Sequence, residues 1–210
     1  MIGPGGAAGG AGFRAEIARA AEIVARGGVV CFPTETTYGL AAFPTDRAAL
    51  RRLSRLKGRA ETAPFALIAP DVAAARAFAR VWPERAEMLA AYWPAPLTLV
   101  IPAREDLPGE IVGPGGGVGV RVSPHPVSAE LVRVLGAAVT ATSANPSGQP
   151  AAVSADEARR YFQEGVDAYL DAGPATQVEP STVVAISDSG EAQVLRKGAF
   201  GLPPELGSGP

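Results

Sequence analysis

Residues 27–59 read GGVVCFPTETTYGLAAFPTDRAALRRLSRLKGR, and the rest of the chain is organised around this segment. The apolar run Val29–Phe32 is short, rich in β-branched residues and preceded by two glycines, which predicts a buried strand. Pro33 ends that strand, because proline has no amide hydrogen to donate within a sheet. A hydroxyl-rich loop follows, and a helix then runs from Asp46 to Lys57. Since open α/β sheets usually bind ligands at the carboxyl ends of their strands, this loop is the first candidate site.

Helices and short apolar runs alternate along the rest of the chain. Apolar residues at helical spacing predict a helix over residues 13–24, and the segments 46–57 and 82–93 are also predicted helices. The predicted strands are 29–32, 65–69, 96–101, 118–122, 137–142, 167–170, 182–186 and 193–196. This pattern predicts a single-domain α/β fold, with one twisted open sheet of mixed parallel and antiparallel strands flanked by helices.

Three further features concern the organisation of the chain. The glycine-rich residues 102–117 are expected to form a disordered loop or a mobile flap. We expect one folded domain over residues 13–200, with flexible tails at 1–12 and 201–210. Ser154 and Glu157 have the spacing of a capping box and predict the start of one more helix.

The composition restricts the functional classes. Of 210 residues, 47% are hydrophobic and 19% are charged, with a net charge of −2, which predicts a packed soluble core and argues against a broadly basic nucleic-acid surface. No apolar stretch is long enough to span a membrane, and the N-terminus lacks the features of a signal peptide, so we expect a cytoplasmic location. A single cysteine and a single histidine exclude a Cys/His zinc site, and Cys31 is predicted to fill the core rather than act as a nucleophile.

Two groups of residues each have a structural and a functional interpretation. Lys57 and Arg59 flank a glycine at a helix end, where they would either complement the helix dipole in solvent or clamp phosphates. The segment Ser143–Gly148 follows a strand and would be either an ordinary turn or a triphosphate cradle. In the second case Ser143 supplies a hydroxyl, Asn145 a carboxamide, and the backbone its amides. The chain contains no GxxxxGK[ST] sequence, so a Walker loop is excluded.

Arg121 lies between valines in a short predicted strand, where it would either be exposed or point into a pocket. We favour a pocket, in which its guanidinium could hold a substrate carboxylate through two hydrogen bonds. Three residues of the hydroxyl-rich loop would frame the same pocket: Thr34, Thr36 and Tyr38. His125, between two prolines, is predicted to be a turn residue rather than a base, and Glu35 a turn or helix-dipole partner.

Six stretches in order, covering residues 13–200, together resemble the YrdC/YciO family, which includes the threonylcarbamoyl-adenylate synthases of tRNA modification. They are PTETTYGL with RLKGR (33–40 and 55–59), YWPAPLTLVI (92–101), VGVRVSPHP (118–126), TATSANPSG (140–148), STVV (181–184) and VLRKGAF (194–200). In this family a Lys-x-Arg pair and a Ser-x-Asn pair are hallmarks of the synthase branch. Both pairs are intact here, as Lys57/Arg59 and Ser143/Asn145.

The resemblance implies a reaction of L-threonine, bicarbonate and ATP that yields threonylcarbamoyl-AMP and pyrophosphate. It implies catalytic roles for Lys57, Arg59, Ser143 and Asn145. It implies that Ser181 contacts the amino acid, for which the other expected binding residues are Thr34, Thr36, Tyr38 and Arg121. It also implies that the nucleotide is bound by Thr142, Arg196 and the four catalytic residues. Mg²⁺ is expected on the phosphates, without an assigned protein ligand. The expected partners are downstream tRNA threonylcarbamoyl-transfer proteins, with a possible weak contact to tRNA or other RNA and none to a membrane.

The sequence departs from the family pattern at four positions. Ala41 and Ala95 replace glycines, and Ala60 and Ser123 replace prolines, so the expected loop geometry is altered while the charged contacts are kept.

Three other functions are open to this sequence. The stretch PFALIAPD also resembles the YciO branch, which would imply a different substrate, although the intact Ser143/Asn145 pair favours the synthase branch. An RNA-binding module would need a basic face with interleaved aromatic residues, and the net charge of −2 with 6% aromatic residues argues against it. A structural or regulatory protein would not need so many charged and hydroxyl residues together.

Overall fold

The computed structural model describes residues 10–58, 64–175 and 179–203, which form two β-sheets and the helices packed around them. The helices are α1 (Ala11–Ala25), α2 (Arg47–Lys57), α3 (Val72–Arg76), α4 (Glu84–Ala90), α5 (Pro126–Leu135) and α6 (Ala155–Phe162), followed by a 3-10 turn at Gln163–Gly165. The strands are β1 (Val30–Pro33), β2 (Tyr38–Ala41), β3 (Leu67–Ile68), β4 (Leu97–Pro102), β5 (Gly117–Arg121), β6 (Val139–Thr140), β7 (Thr142–Ser143), β8 (Ala168–Tyr169), β9 (Thr182–Ile186) and β10 (Ala192–Arg196).

The mixed α/β class is confirmed, but the strands divide between two sheets where one was predicted. The smaller sheet has the order β7-β2-β1-β8, and the larger has the order β10-β9-β4-β5-β3-β6. Both are mixed: β1 is antiparallel to β2 and parallel to β8, while β4 is antiparallel to β5 and parallel to β9.

The two sheets are joined where the predicted strand 137–142 bends at Ala141. The residues before the bend form β6 of the larger sheet, and those after it form β7 of the smaller. The hydroxyl of Thr140 donates to the Leu40 carbonyl oxygen (3.1 Å) and accepts from the Ala42 amide (2.8 Å). Because Thr140 is fully buried, these bonds tie β6 to the end of β2 in a dry environment.

The hydroxyl-rich loop is shorter than predicted, because Tyr38 and Gly39 belong to β2. This strand pairs with β1 from Pro33 opposite Tyr38 to Val30 opposite Ala41, and its four residues are buried. The loop therefore consists of residues 34–37, at the carboxyl end of β1 as expected. A strand this short carries little local signal, and its pairing with β1 and β7 decides it.

The predicted helix starts are confirmed at two caps. The Asp46 carboxylate accepts hydrogen bonds from the amides of Ala48 (2.8 Å) and Ala49 (3.0 Å) at the start of α2. At α6, the Ser154 hydroxyl accepts from the Glu157 amide (3.2 Å). The predicted helix 82–93 is shorter in the structure, where it is α4.

Residues 102–117 are folded, so the prediction of a disordered loop was wrong. Backbone hydrogen bonds close the segment on itself, from Ala103 to Gly116 (2.9 Å) and from Gly113 to Gly117 (2.8 Å). Another joins the Phe65 amide to the Glu110 carbonyl oxygen (2.8 Å), and the Ile111 side chain is buried. Glycine content thus serves tight turns here, and movement as a flap stays a prediction.

The core lies between the sheets and the helices. Helices α1 and α5 cover one face of β1, and the other face packs with α2 and α6 and with the larger sheet. None of the described helices has both the length and the apolar character that crossing a bilayer requires. Residues 1–9 and 204–210 of the predicted tails lie outside the described residues, and residues 11 and 12 already belong to α1.

Candidate functional site

A cavity of about 1330 Å³ lies over the open face of the larger sheet. Because side chains alternate along a strand, Leu97, Leu99 and Ile101 of β4 point into the core. Thr98 and Val100 point to the other face and line the cavity. The floor stays open because the neighbouring positions carry small residues, which are Ala66, Gly117, Gly119, Ala141 and Ala185.

The threonine loop, residues 34–37, forms part of the wall. The Thr34 hydroxyl donates to the Thr37 carbonyl oxygen (2.7 Å) and lies 3.1 Å from the Thr36 hydroxyl. Both Thr34 and Thr36 are buried and line the cavity. These hydroxyls fix the loop at the strand end, as Ser and Thr side chains do in tight turns.

Tyr38 also lines the cavity, but its hydroxyl is engaged elsewhere. The phenol donates to the Gly173 carbonyl oxygen (2.7 Å) and accepts from the Ala172 amide (3.2 Å). Burial raises the pKa of Tyr38 to about 12, so the phenol remains protonated at neutral pH. Its hydroxyl therefore holds the segment after β8, and its contribution to the cavity comes from the rest of the residue.

Arg121, at the end of β5, lines the cavity and forms a buried ion pair with Glu35 of the threonine loop. The Nε–Oε1 distance is 2.7 Å, and only 6% and 8% of the two side chains are exposed. The second carboxylate oxygen of Glu35 accepts a hydrogen bond from the Ser123 hydroxyl. The predicted pocket position of Arg121 thus holds, while Glu35 is its ion-pair partner and not merely a turn residue.

A second guanidinium, that of Arg196, also lines the cavity. Arg196 of β10 donates through Nε to the Ser181 carbonyl oxygen (3.0 Å) and through Nη2 to the Ser181 hydroxyl (3.2 Å). Thr98 extends this group, with its hydroxyl 3.0 Å from that of Ser181. Partial burial, together with the positive charge of Arg121, lowers the pKa of Arg196. The two cations therefore share one electrostatic environment that favours an anion.

Glycine is required beside this wall. A Cβ atom at Gly198 would overlap the backbone of Pro180 and Ser181. The Gly198 amide donates to the Thr182 hydroxyl (3.1 Å), and the Ala199 amide donates to the Pro180 carbonyl oxygen (2.9 Å). The close approach of these two segments sets the position of Ser181, and through it that of Arg196.

Lys57 and Asn145 form hydrogen bonds that hold the Ser143 loop of the cavity wall. The buried Lys57 ammonium, at the end of α2, donates to the Ser143 carbonyl oxygen (2.5 Å) and to Asn145 Oδ1 (3.1 Å). The Asn145 carboxamide nitrogen donates in turn to the carbonyl oxygens of Gln149 (2.6 Å) and Pro146 (3.0 Å). Lys57 thereby anchors the loop that carries Ser143.

The structure thus brings together most of the residues that sequence predicted. Eight of them line the cavity: Thr34, Thr36, Tyr38, Arg121, Thr142, Ser143, Ser181 and Arg196. Lys57 and Asn145 are absent from the described lining and contact its Ser143 loop instead. Arg59 lies outside the described residues. The chemical roles assigned to all of these residues stay predictions.

His125 and Cys31 occupy structural positions. The Nδ1 atom of His125 accepts a hydrogen bond from the Val127 amide (3.2 Å) at the start of α5, which fits the predicted turn role. Burial lowers the pKa of His125 against the opposing effect of Glu35. Cys31 is fully buried, and burial raises the pKa of its thiol, which keeps it neutral and fits a core role.

Thr98 and Glu35 belong to the site, although neither was among the predicted site residues. Thr98 is the one polar residue in the apolar stretch 97–101, and Glu35 is the one acid in the threonine loop. A polar residue in an apolar strand and an acid among threonines are both departures from the local pattern that could have identified these two residues. The ion pair between Arg80 and Asp188 at the cavity rim (3.0 Å) had no such signal, because it joins two exposed residues from distant turns.

Within the part of the chain that the structure describes, no group of three or more His, Cys, Asp or Glu side chains could hold a metal ion. Of the carboxylates that line the cavity, Asp188 is already paired with Arg80. The described residues therefore do not fit a dedicated metal site built by the protein.

The chain is similar to a known protein family and to its characterised members. The model of the Sua5/YciO/YrdC family, described as telomere recombination, matches residues 22–198. The threonylcarbamoyl-AMP synthase of Halorhodospira halophila is 42% identical over 155 residues, which cover 73% of this chain and 81% of that protein.

Two solved structures share the fold. Pyrococcus abyssi Sua5 complexed with L-threonine has a TM-score of 0.83 and 34% identity over 88% of this chain, which spans 54% of the length of that Sua5 chain. E. coli YciO has a TM-score of 0.77 and 25% identity, covering 88% of this chain and 90% of that one.

Proposed function

The chain belongs to the Sua5/YciO/YrdC family, and from that membership we propose that it is an L-threonylcarbamoyladenylate synthase. As a nucleotidyltransferase it makes threonylcarbamoyl-AMP and pyrophosphate from L-threonine, bicarbonate and ATP, for N6-threonylcarbamoyladenosine modification of tRNA. Relatives named threonylcarbamoyl-AMP synthase at 36–42% identity support this assignment.

One observation carries the proposal: two guanidinium groups, Arg121 and Arg196, face a single large cavity whose walls also bear hydroxyl groups. The reaction joins two anionic substrates, an amino acid with a carboxylate and a nucleotide with a triphosphate. Arginine pairs well with both kinds of anion, because its planar donors match carboxylate and phosphate oxygens.

The chemistry needs no covalent enzyme intermediate. The threonine amine attacks the carbon of bicarbonate and water leaves, which gives a carbamate. A carbamate oxygen then attacks the α-phosphorus of ATP, the bond to the bridging oxygen of the β-phosphate breaks, and pyrophosphate leaves. Catalysis therefore rests on holding the two reactants together and on offsetting phosphate charge. The neutral, buried Cys31 accords with such a mechanism.

We assign the residues to two substrates. Arg121 holds the threonine carboxylate, and the threonine-binding set is completed by Thr34, Thr36, Tyr38 and Ser181. The nucleotide-binding set is Lys57, Arg59, Thr142, Ser143, Asn145 and Arg196. Within this set, Lys57 and Asn145 act by holding the Ser143 loop, as their hydrogen bonds suggest.

Mg²⁺ enters this proposal as a companion of the nucleotide. Magnesium is commonly held by substrate phosphates and water with only one or two protein ligands, so a dedicated cluster is not required. When bound to ATP it would neutralise phosphate charge, and no step of this proposal depends on a protein ligand to it.

The product is a reactive mixed anhydride and must be consumed by another protein. We propose that tRNA threonylcarbamoyl-transfer proteins receive it, with at most a weak RNA contact from this chain. A YciO-like activity is the alternative. The higher identity to a protein named as the synthase, 42% against 25% for E. coli YciO, favours the synthase.

The proposal is tested by measuring pyrophosphate release from ATP. Threonine and bicarbonate are supplied together, singly and not at all, and threonylcarbamoyl-AMP is identified by mass spectrometry. We expect release that requires both co-substrates. Release that is independent of threonine would refute the threonine-specific function.

A further inference from the structure

Glu35 and Arg121 lie 86 positions apart in the sequence and form the buried ion pair at the cavity wall. Both oxygens of the Glu35 carboxylate are engaged, one by Arg121 Nε and the other by the Ser123 hydroxyl. Ser123 is held in turn, because its oxygen accepts from the His125 amide (3.2 Å). Both carboxylate oxygens of Glu35 are thus held by hydrogen bonds before any ligand is present.

The orientation of the guanidinium follows from this arrangement. An arginine offers five N–H donors, and Glu35 takes the one on Nε. Every fully buried side-chain nitrogen or oxygen in the described part of the chain has a hydrogen-bond partner. The Nη atoms of Arg121 have no partner there, so they are not fully buried, and the cavity that Arg121 lines is the space they reach. The two Nη groups can therefore donate a pair of hydrogen bonds to a ligand in that space.

Stability alone is a poor explanation for this pair. Desolvating two charges costs about as much as their attraction returns, and apolar replacements of buried ion pairs are often neutral or stabilising. Arg121 and Arg196 also act on one another in the cavity. A fixed anion behind Arg121 keeps the long side chain from relaxing away from its like-charged neighbour.

We infer that Glu35, supported by Ser123, is a positioning residue that presents the Nη edge of Arg121 to the carboxylate of the amino acid substrate. This inference rests on the proposed function. It also assigns a task to Ser123, at a position where the family resemblance leads one to expect proline, which has no hydroxyl.

The test measures kcat and KM for L-threonine, KM for ATP, and the preference for L-threonine over L-threoninamide, which lacks the carboxylate. We expect Glu35→Ala to raise the threonine KM about tenfold or more, to reduce the preference over threoninamide, and to leave the ATP KM within about twofold. Glu35→Gln keeps an oxygen acceptor for Arg121 Nε and should restore most of the loss. A general loosening of the protein would not produce this split.

The matched control is Glu130→Ala. Glu130 is also paired with an arginine, Arg133 (2.7 Å), but on the exposed face of α5 away from the cavity. We expect this variant to keep wild-type kinetics for both substrates. If Glu35→Ala fails to fold, Ser123→Ala takes its place, with an expected rise of about threefold in the threonine KM.

Two results would overturn the inference. One is a folded Glu35→Ala variant with the threonine KM and threoninamide preference of the wild type. The other is an equal rise of the threonine and ATP KM values. A wild-type protein without threonine-dependent pyrophosphate release would instead show failure of the proposed function, so the two failures are distinguishable.

Discussion

Replacing Lys57 with methionine should destabilise the protein as well as abolish its turnover, because the buried ammonium anchors the Ser143 loop. Two of its hydrogen bonds, to the Ser143 carbonyl oxygen (2.5 Å) and to Asn145 Oδ1 (3.1 Å), are each made by a charged donor. Such bonds contribute about 1.5–3 kcal/mol apiece, or about 3–6 kcal/mol for the two. Methionine no longer carries the desolvation cost of the ammonium, so the net loss should be about 2–4 kcal/mol.

The assay is urea unfolding followed by far-UV circular dichroism, with pyrophosphate release measured on the same preparations. A lower midpoint at an unchanged m-value would show a loss of stability without a change in the unfolded state. Arg55→Met is the matched control, since Arg55 is an exposed cation in the same last turn of α2. Its substitution should change the free energy of unfolding by less than about 0.5 kcal/mol.

A Lys57→Met variant with the stability of the Arg55→Met control would contradict the anchoring role of Lys57. Lys57 would then act only on the nucleotide, and its contacts with the Ser143 loop would contribute nothing measurable. Loss of stability with full retention of turnover would instead remove Lys57 from the nucleotide-binding set.

Three further predictions follow from single contacts. Gly198→Ala should destabilise the protein by about 1–3 kcal/mol and weaken ATP binding, because its methyl group overlaps the Pro180 backbone; urea unfolding and titration calorimetry measure both. Thr140→Val should cost about 1–3 kcal/mol in urea unfolding, because two buried hydrogen bonds between the sheets are lost. The pKa of His125 is lowered in the folded state, so the free energy of unfolding should fall as the pH drops below 6.5, the ordinary pKa of histidine. His125→Asn should remove this pH dependence, as measured by unfolding from pH 5 to 8.

Each of these has a contradicting outcome. Wild-type stability in Gly198→Ala would mean that the Pro180 segment moves freely. An unchanged midpoint in Thr140→Val would mean that the two side-chain hydrogen bonds of Thr140 contribute no net stability. For His125, the sign follows from protonation: the unfolded state binds the proton more tightly, so acid favours unfolding. Parallel pH curves for the wild type and His125→Asn would show that another group is responsible.

Local sequence patterns were sufficient for most of the secondary structure. The helix starts at Asp46 and Ser154 could be predicted because a cap depends on residues within one turn of each other. The strand at 182–186 could be predicted because TVVAI is a short run of β-branched and apolar residues. The family motifs also carried the set of residues that line the cavity, since each motif is short and keeps its order.

The arrangement of the site could not be predicted in the same way. The pairing of Glu35 with Arg121, and of Lys57 with Asn145, joins residues 86 and 88 positions apart. No local propensity encodes such a pair, because it exists only after the chain has closed long loops and packed the two sheets together.

Most of the helices and strands, the mixed α/β class and the family could therefore be predicted from the order of the residues alone. Three features depend on the folded chain: the division of the strands into two sheets at Ala141, the ion pair that Glu35 makes with Arg121, and the hydrogen bonds from Lys57 to the Ser143 loop. The difference lies in range, because backbone periodicity and capping act over a few residues, while the direction of a buried charge depends on which distant groups share its low-dielectric surroundings.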